Sequence, residues 1–236
     1  VHSLDAAVKV VCLLGFLFAV VVTPPTSVAA FPAYALLVAM AAALSRLPVR
    51  LLARRMLVEV PFVAFALALP FIGSGPHREV LGVSVSIAGC WAAWSILAKA
   101  TLGTAAAVVL AWSTPAADLL AGLERLRVPR VLCVIAGFMV RYLDLVAGEL
   151  HRLQVARVSR GDDPRWFWQG RAIAGTSGTL FVRSFERGER VHHAMVARGF
   201  DGSFPPRADS SEQARWFPAL LWPIGAWLVA AAALLL

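Results

Sequence analysis

Lysine is nearly absent from this 236-residue chain, which holds only Lys9 and Lys99. Neither lies in a Gly-x-x-x-x-Gly-Lys-Ser/Thr loop, so the phosphate cradle of P-loop proteins is missing and the chain carries no known ATP site of that kind. Cysteine is limited to Cys12, Cys90 and Cys133, each inside an apolar run and none at a ligand-like spacing. They read as small buried hydrophobes, which excludes a disulfide framework and a zinc site. No Ser/His/Asp arrangement and no oxygen-rich metal loop is present. The single histidine pair, His192-His193, diverges by about 100° on a helix and does not converge on a metal as an i,i+4 pair would. Asp162-Asp163 precedes Pro164 and reads as a helix cap rather than a carboxylate pair for acid/base work. Trp166 and Trp168 read as interface anchors rather than a stacking platform.

Charge is scarce too, at 15% of residues, while hydrophobic residues reach 59%. Ordinary globular domains are about 45–50% apolar, so the chain reads as a polytopic membrane protein. The net charge of +8, from 22 Lys+Arg against 14 Asp+Glu, fits positive cytoplasmic loops rather than nucleic-acid binding. Five windows approach the roughly 20 residues that cross a hydrocarbon core: 10–22, 28–44, 57–72, a long stretch ending at Trp112, and 217–236. Prolines 32, 61, 70 and 223 fall in or beside them, as membrane helices tolerate. Lys99 interrupts the fourth window and leaves either 82–97 or 102–112 as its embedded part. Lys9, the apolar run after it and Ser27-Val28-Ala29-Ala30 resemble a secretory signal, but a first transmembrane helix is the favoured reading. The first residue is Val rather than Met, which leaves open an alternative start or a trimmed terminus.

Loop charge sets the orientation. The turn at 23–27 is uncharged and that at 76–79 nearly balanced, whereas Arg46, Arg50, Arg54 and Arg55 form a basic segment, cytoplasmic by the positive-inside rule together with the N-terminus. Spacing puts Arg46, Arg50 and Arg54 along one helical face with Leu47, Leu51 and Met56 broadly opposed, either as an interfacial helix or as a solvated loop. Counting spans forward places residues 113–215 in the cytoplasm. The expected organisation is thus 1–112 as N-terminal transmembrane helices, 113–215 as long cytoplasmic helices and 216–236 as a last span, in an all-α fold.

Within 113–215, a short basic amphipathic piece runs through Arg127 and breaks at Pro129. The next helix is apolar over 131–140, charged from Arg141 through Arg157, and ends near Gly161. From about Thr179 a second long helix carries Arg183, Glu186, Arg187, Glu189 and Arg190, with a favourable Glu186–Arg190 pair, and Gly199 stops it. Two arginine tripeptides close these helices, Ala156-Arg157-Val158 and Ala197-Arg198-Gly199. A last-turn arginine sits beside the negative end of the helix dipole with its fork pointing beyond the helix, suited either to capping or to reaching into another protein.

The blocks His2-Ser3-Leu4-Asp5, Ser113-Thr114-Pro115 with Asp118-Leu119-Leu120, Leu126-Arg127-Val128-Pro129 and Arg141-Tyr142 lead to the run from Arg183 to Arg190. Ala194-Met195-Val196-Ala197-Arg198-Gly199-Phe200-Asp201-Gly202 follows. Together they resemble the transmembrane T component of energy-coupling factor (ECF) ABC transporters, cobalt/nickel type (CbiQ-like), over nearly the whole chain. The resemblance implies a non-catalytic subunit of the plasma membrane, multi-pass, with its coupling helices on the cytoplasmic side. It further implies two ABC-type ATPase subunits that bind ATP and Mg, no cofactor or metal in this chain, and a substrate-binding membrane S component. That component would be CbiM-like, alone or with a small accessory membrane subunit, and the cargo cobalt or nickel. Ala197, Arg198 and Gly199 match the family's second coupling motif fully. Ala156 and Arg157 match the first, but Val158 stands where Gly or Ser is usual, and Arg160-Gly161 is an off-register substitute. The alternatives are a self-contained membrane enzyme or metal permease, and the same T role in a vitamin importer.

Overall fold

The computed structural model describes residues 4–72, 77–80, 83–161, 170–202 and 216–235. Its elements run α1 (Ala6–Val22), α2 (Ala30–Leu44), α3 (Val49–Met56), a 3-10 turn (Leu57–Glu59), α4 (Val60–Ile72), β1 (His77–Val80), β2 (Val83–Ser86) and α5 (Ile87–Ser113). Then follow α6 (Ala116–Arg125), α7 (Arg130–Val158), α8 (Gly170–Val196) and α9 (Trp216–Leu235). The expected all-α fold is present, with one short antiparallel hairpin added, registered from His77 opposite Ser86 to Val80 opposite Val83. Residues 77–79, read as a turn from their balanced charge, belong to its first strand. Ser86 ends the hairpin and starts α5, its hydroxyl accepting from the Gly89 N–H at 3.3 Å.

Two compact units emerge, one of Val1–Leu126 with Glu212–Leu236 and one of Arg127–Ser211. In the first, α1 packs on α5, α6 and α9, while α4 packs on α5. Phe16 is fully buried at the centre, edge-on to Tyr34 of α2 at 5.8 Å and stacked on Trp222 of α9 at 4.8 Å. Around it, Ala226, Ala230 and Ala233 of α9 and Ala105 and Ala106 of α5 supply small residues that let the helices approach closely, as membrane helices favour. Gly15 lets α1 meet the proline-bearing α9, since a Cβ there would lie 3.2 Å from the Pro223 Cβ.

Much of the exterior of the first unit is apolar too, with Phe18, Leu36, Phe62, Phe65, Leu67 and Phe71 all exposed. Large exposed apolar area has no place in a soluble monomer and is normal against hydrocarbon. By length and composition, two described helices can each cross a membrane alone, α5 with 27 residues and α7 with 29; α1 and α2 are shorter apolar helices.

Several polar groups inside the first unit are paired, although Glu59 Oε1 is buried without a hydrogen-bond partner. The Thr23 hydroxyl lies 2.7 Å from the Tyr34 hydroxyl and donates to the Ala19 carbonyl at 2.8 Å. Trp222 donates to the Leu37 carbonyl at 3.2 Å. The two lysines bind helix ends. Lys9, buried, donates to the Ser113 carbonyl at 3.0 Å and to Thr114 Oγ1 at 3.1 Å, at the C-terminus of α5. Lys99 donates to the Val21 carbonyl at 2.8 Å, at the C-terminus of α1. Neither half of the fourth window stands alone, because α5 is continuous through Lys99, whose charge meets a helix terminus instead of a carboxylate.

Although the sequence groups it with the cytoplasmic helices, α6 packs on the start of α1. A Cβ on Gly122 would lie 2.6 Å from the Ala7 nitrogen, so the two backbones touch. Asp5 fastens the crossing: Oδ1 caps α1 by accepting from Ala7 at 3.0 Å, and Oδ2 pairs with Arg125 of α6. The basic segment is a helix, α3, with Leu52 and Met56 against the central cluster and Leu47, Leu51 and Leu52 against Val108 and Val109.

Two outcomes follow for the purified chain in detergent. Gly122→Val should lower the thermal unfolding midpoint by several degrees, because a branched side chain cannot enter a backbone contact that close. Lys9→Met should destabilise more than Lys99→Met, since it strips a buried carbonyl and a hydroxyl of their donor at a cost of about 1–3 kcal/mol. Equal midpoints for the two lysine variants would contradict that ordering.

Candidate functional site

The second unit is built on α7 and α8. Pro129, with ψ 127°, starts α7 in place of a side-chain cap, and the first half of the helix exposes Val131, Leu132, Met139 and Val140. Its second half is charged. α8 begins at Gly170 rather than near Thr179, because the weak helix formers Gly175 and Gly178 are carried within it. The Asp162-Asp163, Trp166 and Trp168 readings lie outside the described residues.

Glu149 ties the two helices. Its carboxylate accepts from Arg152 of its own helix at 2.6 Å and from Arg183 of α8, and only 12% of the side chain is exposed. Hydrogen bonds from Arg152 and Arg183 hold its carboxyl below the usual glutamate range. Arg190 and Glu186 form the expected i,i+4 pair, at 3.8 Å. Beside Glu149 runs a groove of about 420 Å³, lined by Phe138, Tyr142 and Val146 of α7, by Val191 and Met195 of α8, and by Phe200 beyond it. His192 and His193 are both exposed, with ring centroids 5.9 Å apart. Among the described residues no three His, Cys, Asp or Glu side chains cluster as metal ligands.

The helix ends carry the most information. After α8, Gly199 takes φ +85°, Phe200 N–H bonds to the Met195 carbonyl at 3.0 Å and Gly199 N–H to the Val196 carbonyl at 2.9 Å. That is a Schellman stop with glycine at the left-handed position, as Gly199 indicates from sequence. Met195 and Phe200, the residues such a stop brings together, both line the groove. Ala197, Arg198 and Gly199 are all exposed, with Arg198 at the cap.

After α7, the same geometry falls on Ser159-Arg160-Gly161. Gly161 takes φ +83° and bonds back to the Val158 carbonyl at 3.0 Å, Arg160 bonds to the Arg157 carbonyl at 2.9 Å, and Ser159 to the Val155 carbonyl at 3.0 Å. Each bond has its counterpart at Gly199, Arg198 and Ala197. Ala156, Arg157 and Val158 lie one turn earlier, within α7. Arg157 is half-buried there, between an exposed Ala156 and an exposed Val158. The signal for this register was in the sequence: Arg160-Gly161-Asp162-Asp163 repeats the pattern of Arg198-Gly199-Phe200-Asp201.

Comparison with known proteins gives the family. A family model described as cobalt transport protein, CbiQ, matches residues 1–209. The chain is 31% identical over 192 residues to the cobalt transport protein CbiQ of Rhodobacter capsulatus, covering 80% of this chain and 75% of that one. It is 24% identical over 126 residues to a putative fused cobalt transport protein CbiMQ of Methanocorpusculum labreanum, covering 53% of this chain and 20% of that one. To the nickel permease LarQ of Lactiplantibacillus plantarum it is 28% identical over 135 residues, covering 56% and 48%. With the family model spanning most of its length, and with helices apolar inside and out, this chain is a membrane protein belonging to the CbiQ family of cobalt transport proteins.

Proposed function

We propose that the chain is the energy-coupling transmembrane subunit of an ECF-type importer for cobalt or nickel. The observation that carries the reading is the matched pair of helix ends, each presenting an exposed arginine at the cap and a left-handed glycine next to it. Two equivalent tips suit a partner that offers two equivalent grooves, such as a pair of ABC-type ATPase subunits holding ATP and Mg. At each tip the guanidinium fork lies beside the negative end of a helix dipole and projects beyond the last turn.

In this reading ATP binding closes the ATPase pair, draws the two tips together and shifts α7 and α8 beneath a separate substrate-binding membrane subunit; hydrolysis resets them. The drive is the difference in the tips' binding free energy between closed and open ATPases. The fused CbiMQ relative supports a CbiM-like subunit as that partner. This chain contributes no chemistry and holds no cofactor. In this reading the five spans are α1, α2, α4, α5 and α9, the membrane is the plasma membrane, and the basic segment and residues 113–215 face the cytoplasm, so that α7, although long and apolar enough to cross a membrane by itself, lies against its inner side with its charged second half in water.

Ala197, Arg198 and Gly199 form the second contact. The first belongs to Arg160 and Gly161 at the end of α7, with Ala156, Arg157 and Val158 supporting it from the preceding turn.

Three substitutions test the assignment by copurification of ATPase with the detergent-solubilised chain and by metal uptake in cells. Arg198→Glu should abolish both while the protein remains inserted, because the wrong charge would be desolvated in the docking groove. Arg160→Glu should reduce ATPase recovery more than Arg157→Glu; the reverse order would return the first contact to Ala156-Arg157-Val158. Gly199→Val should also impair coupling, since a β-branched residue resists the left-handed conformation. If no ATPase accompanies the wild type and the isolated chain takes up metal in liposomes, the chain is a permease acting alone.

A further inference from the structure

The four arginines between α2 and α4 are not used by the coupling reading. Arg46, Arg50, Arg54 and Arg55 are all exposed, and none forms an ion pair among the described residues. No acidic residue lies between Asp5 and Glu59. Glu59 itself is turned inward, 8% exposed, with its Oε1 lacking a hydrogen-bond partner, so it does not neutralise the strip.

Position makes this charge informative. α3 follows α2 after four residues and runs through the 3-10 turn directly into the apolar α4, so it is held where apolar helices end. Arg50 and Arg54, one turn apart, share the face opposite Leu52, which is docked in the core. Beside the arginines, Val49, Leu57 and Val58 are 79%, 66% and 71% exposed. A soluble anion has no use for that apolar flank, and a guanidinium fork fits a phosphodiester in two-pronged fashion.

We infer that α3, with Arg46 and Arg55 beside it, is a binding strip for the headgroups of anionic phospholipid. Arg50 and Arg54 take the phosphate, and Val49, Leu57 and Val58 lie among the first carbons of the acyl chains. The strip pins the α2–α4 corner to one leaflet. It depends on the chain being a membrane protein and not on ATPase coupling.

Native mass spectrometry of the detergent-solubilised full chain, titrated with phosphatidylglycerol or phosphatidylcholine, tests this. The wild type should prefer phosphatidylglycerol. Arg50→Ala/Arg54→Ala should lose about thirtyfold of that affinity, at about a factor of five per arginine, with phosphatidylcholine binding unchanged. Arg50→Lys/Arg54→Lys, which keeps the charge but not the fork, should keep a preference for phosphatidylglycerol at reduced affinity and serves as the folding control, checked by its unfolding midpoint. Equal binding of the two lipids by the wild type would overturn the proposal, as would an undiminished preference in the alanine variant or loss of preference in the lysine variant. Displacement of phosphatidylglycerol by millimolar inorganic phosphate would make the strip a soluble-anion site. An acidic protein copurifying with the wild type and lost from the alanine variant, without lipid preference, would make it a protein contact. Either result also overturns it, and ATPase recovery with Arg198 intact separates its failure from failure of the coupling reading.

Discussion

The first unit depends on an antiparallel pair of helices, α1 and α5, in which each helix's only lysine holds the C-terminal end of the other. Lys9 donates to the Ser113 carbonyl and Lys99 to the Val21 carbonyl. The stretch from Lys9 to Val21 is about 18 Å of helix and that from Lys99 to Ser113 about 21 Å, so both bonds close in a single register. Each supplies a cation to a terminus rich in unsatisfied carbonyls, where such charge is stabilising and where hydrocarbon leaves few other donors. Once that register is fixed, Phe16 falls opposite Leu102, Ala105 and Ala106, and the gap left beside it accepts Tyr34 and Trp222. α6 then sits across the first turn of α1, where Gly122 permits the backbones to touch and Arg125 reaches Asp5.

The chain changes direction by a repeated device. Arg46 and Arg127 both adopt left-handed backbone, with φ 52° and 64°, and in each case one apolar residue and then a proline follow before the next helix. A non-glycine residue there costs about 1–2 kcal/mol, and the proline, in extended conformation, cannot continue the preceding helix. Where the sequence instead offers glycine, at Gly161 and Gly199, the helix ends without that strain and leaves its cap arginine exposed. Arginine at the left-handed position thus precedes a proline-led helix, whereas arginine before a left-handed glycine stays exposed at the cap.

Much of this was legible because it rests on local rules. The apolar runs became α1, α2, α4, α5 and α9, Pro129 began α7, Gly199 ended α8, and the Glu186–Arg190 pair formed. What escaped is what sequence does not encode locally. A lysine whose partner is a carbonyl on another helix leaves no complementary residue to find, so Lys99 had no visible partner. The balanced charge of residues 77–79 says nothing of strand pairing with 83–86. The first helix end, by contrast, was legible near Gly161, and only the tripeptide Ala156-Arg157-Val158 came from matching an Ala-Arg pair. The criterion that governs a helix stop is the residue able to take positive φ, which is Gly161.

The tips matter mechanically only if displacement at one helix end reaches the rest of the second unit. Isolated surface ion pairs contribute little, about 0–1 kcal/mol, and would slip under load. Glu149 differs because one carboxylate is shared by arginines from both helices, so sliding α7 along α8 would break a two-armed contact rather than a lone pair. Next to it, Phe200 and Met195 belong at once to the Schellman stop of α8 and to the groove facing Phe138 and Tyr142 of α7. In the proposed coupling role a pull on Arg198 would act on the stop, and through the stop on the groove wall, with Glu149 linking the two helices. There the arginines make the contact, and the shared carboxylate keeps the two contacts from being independent.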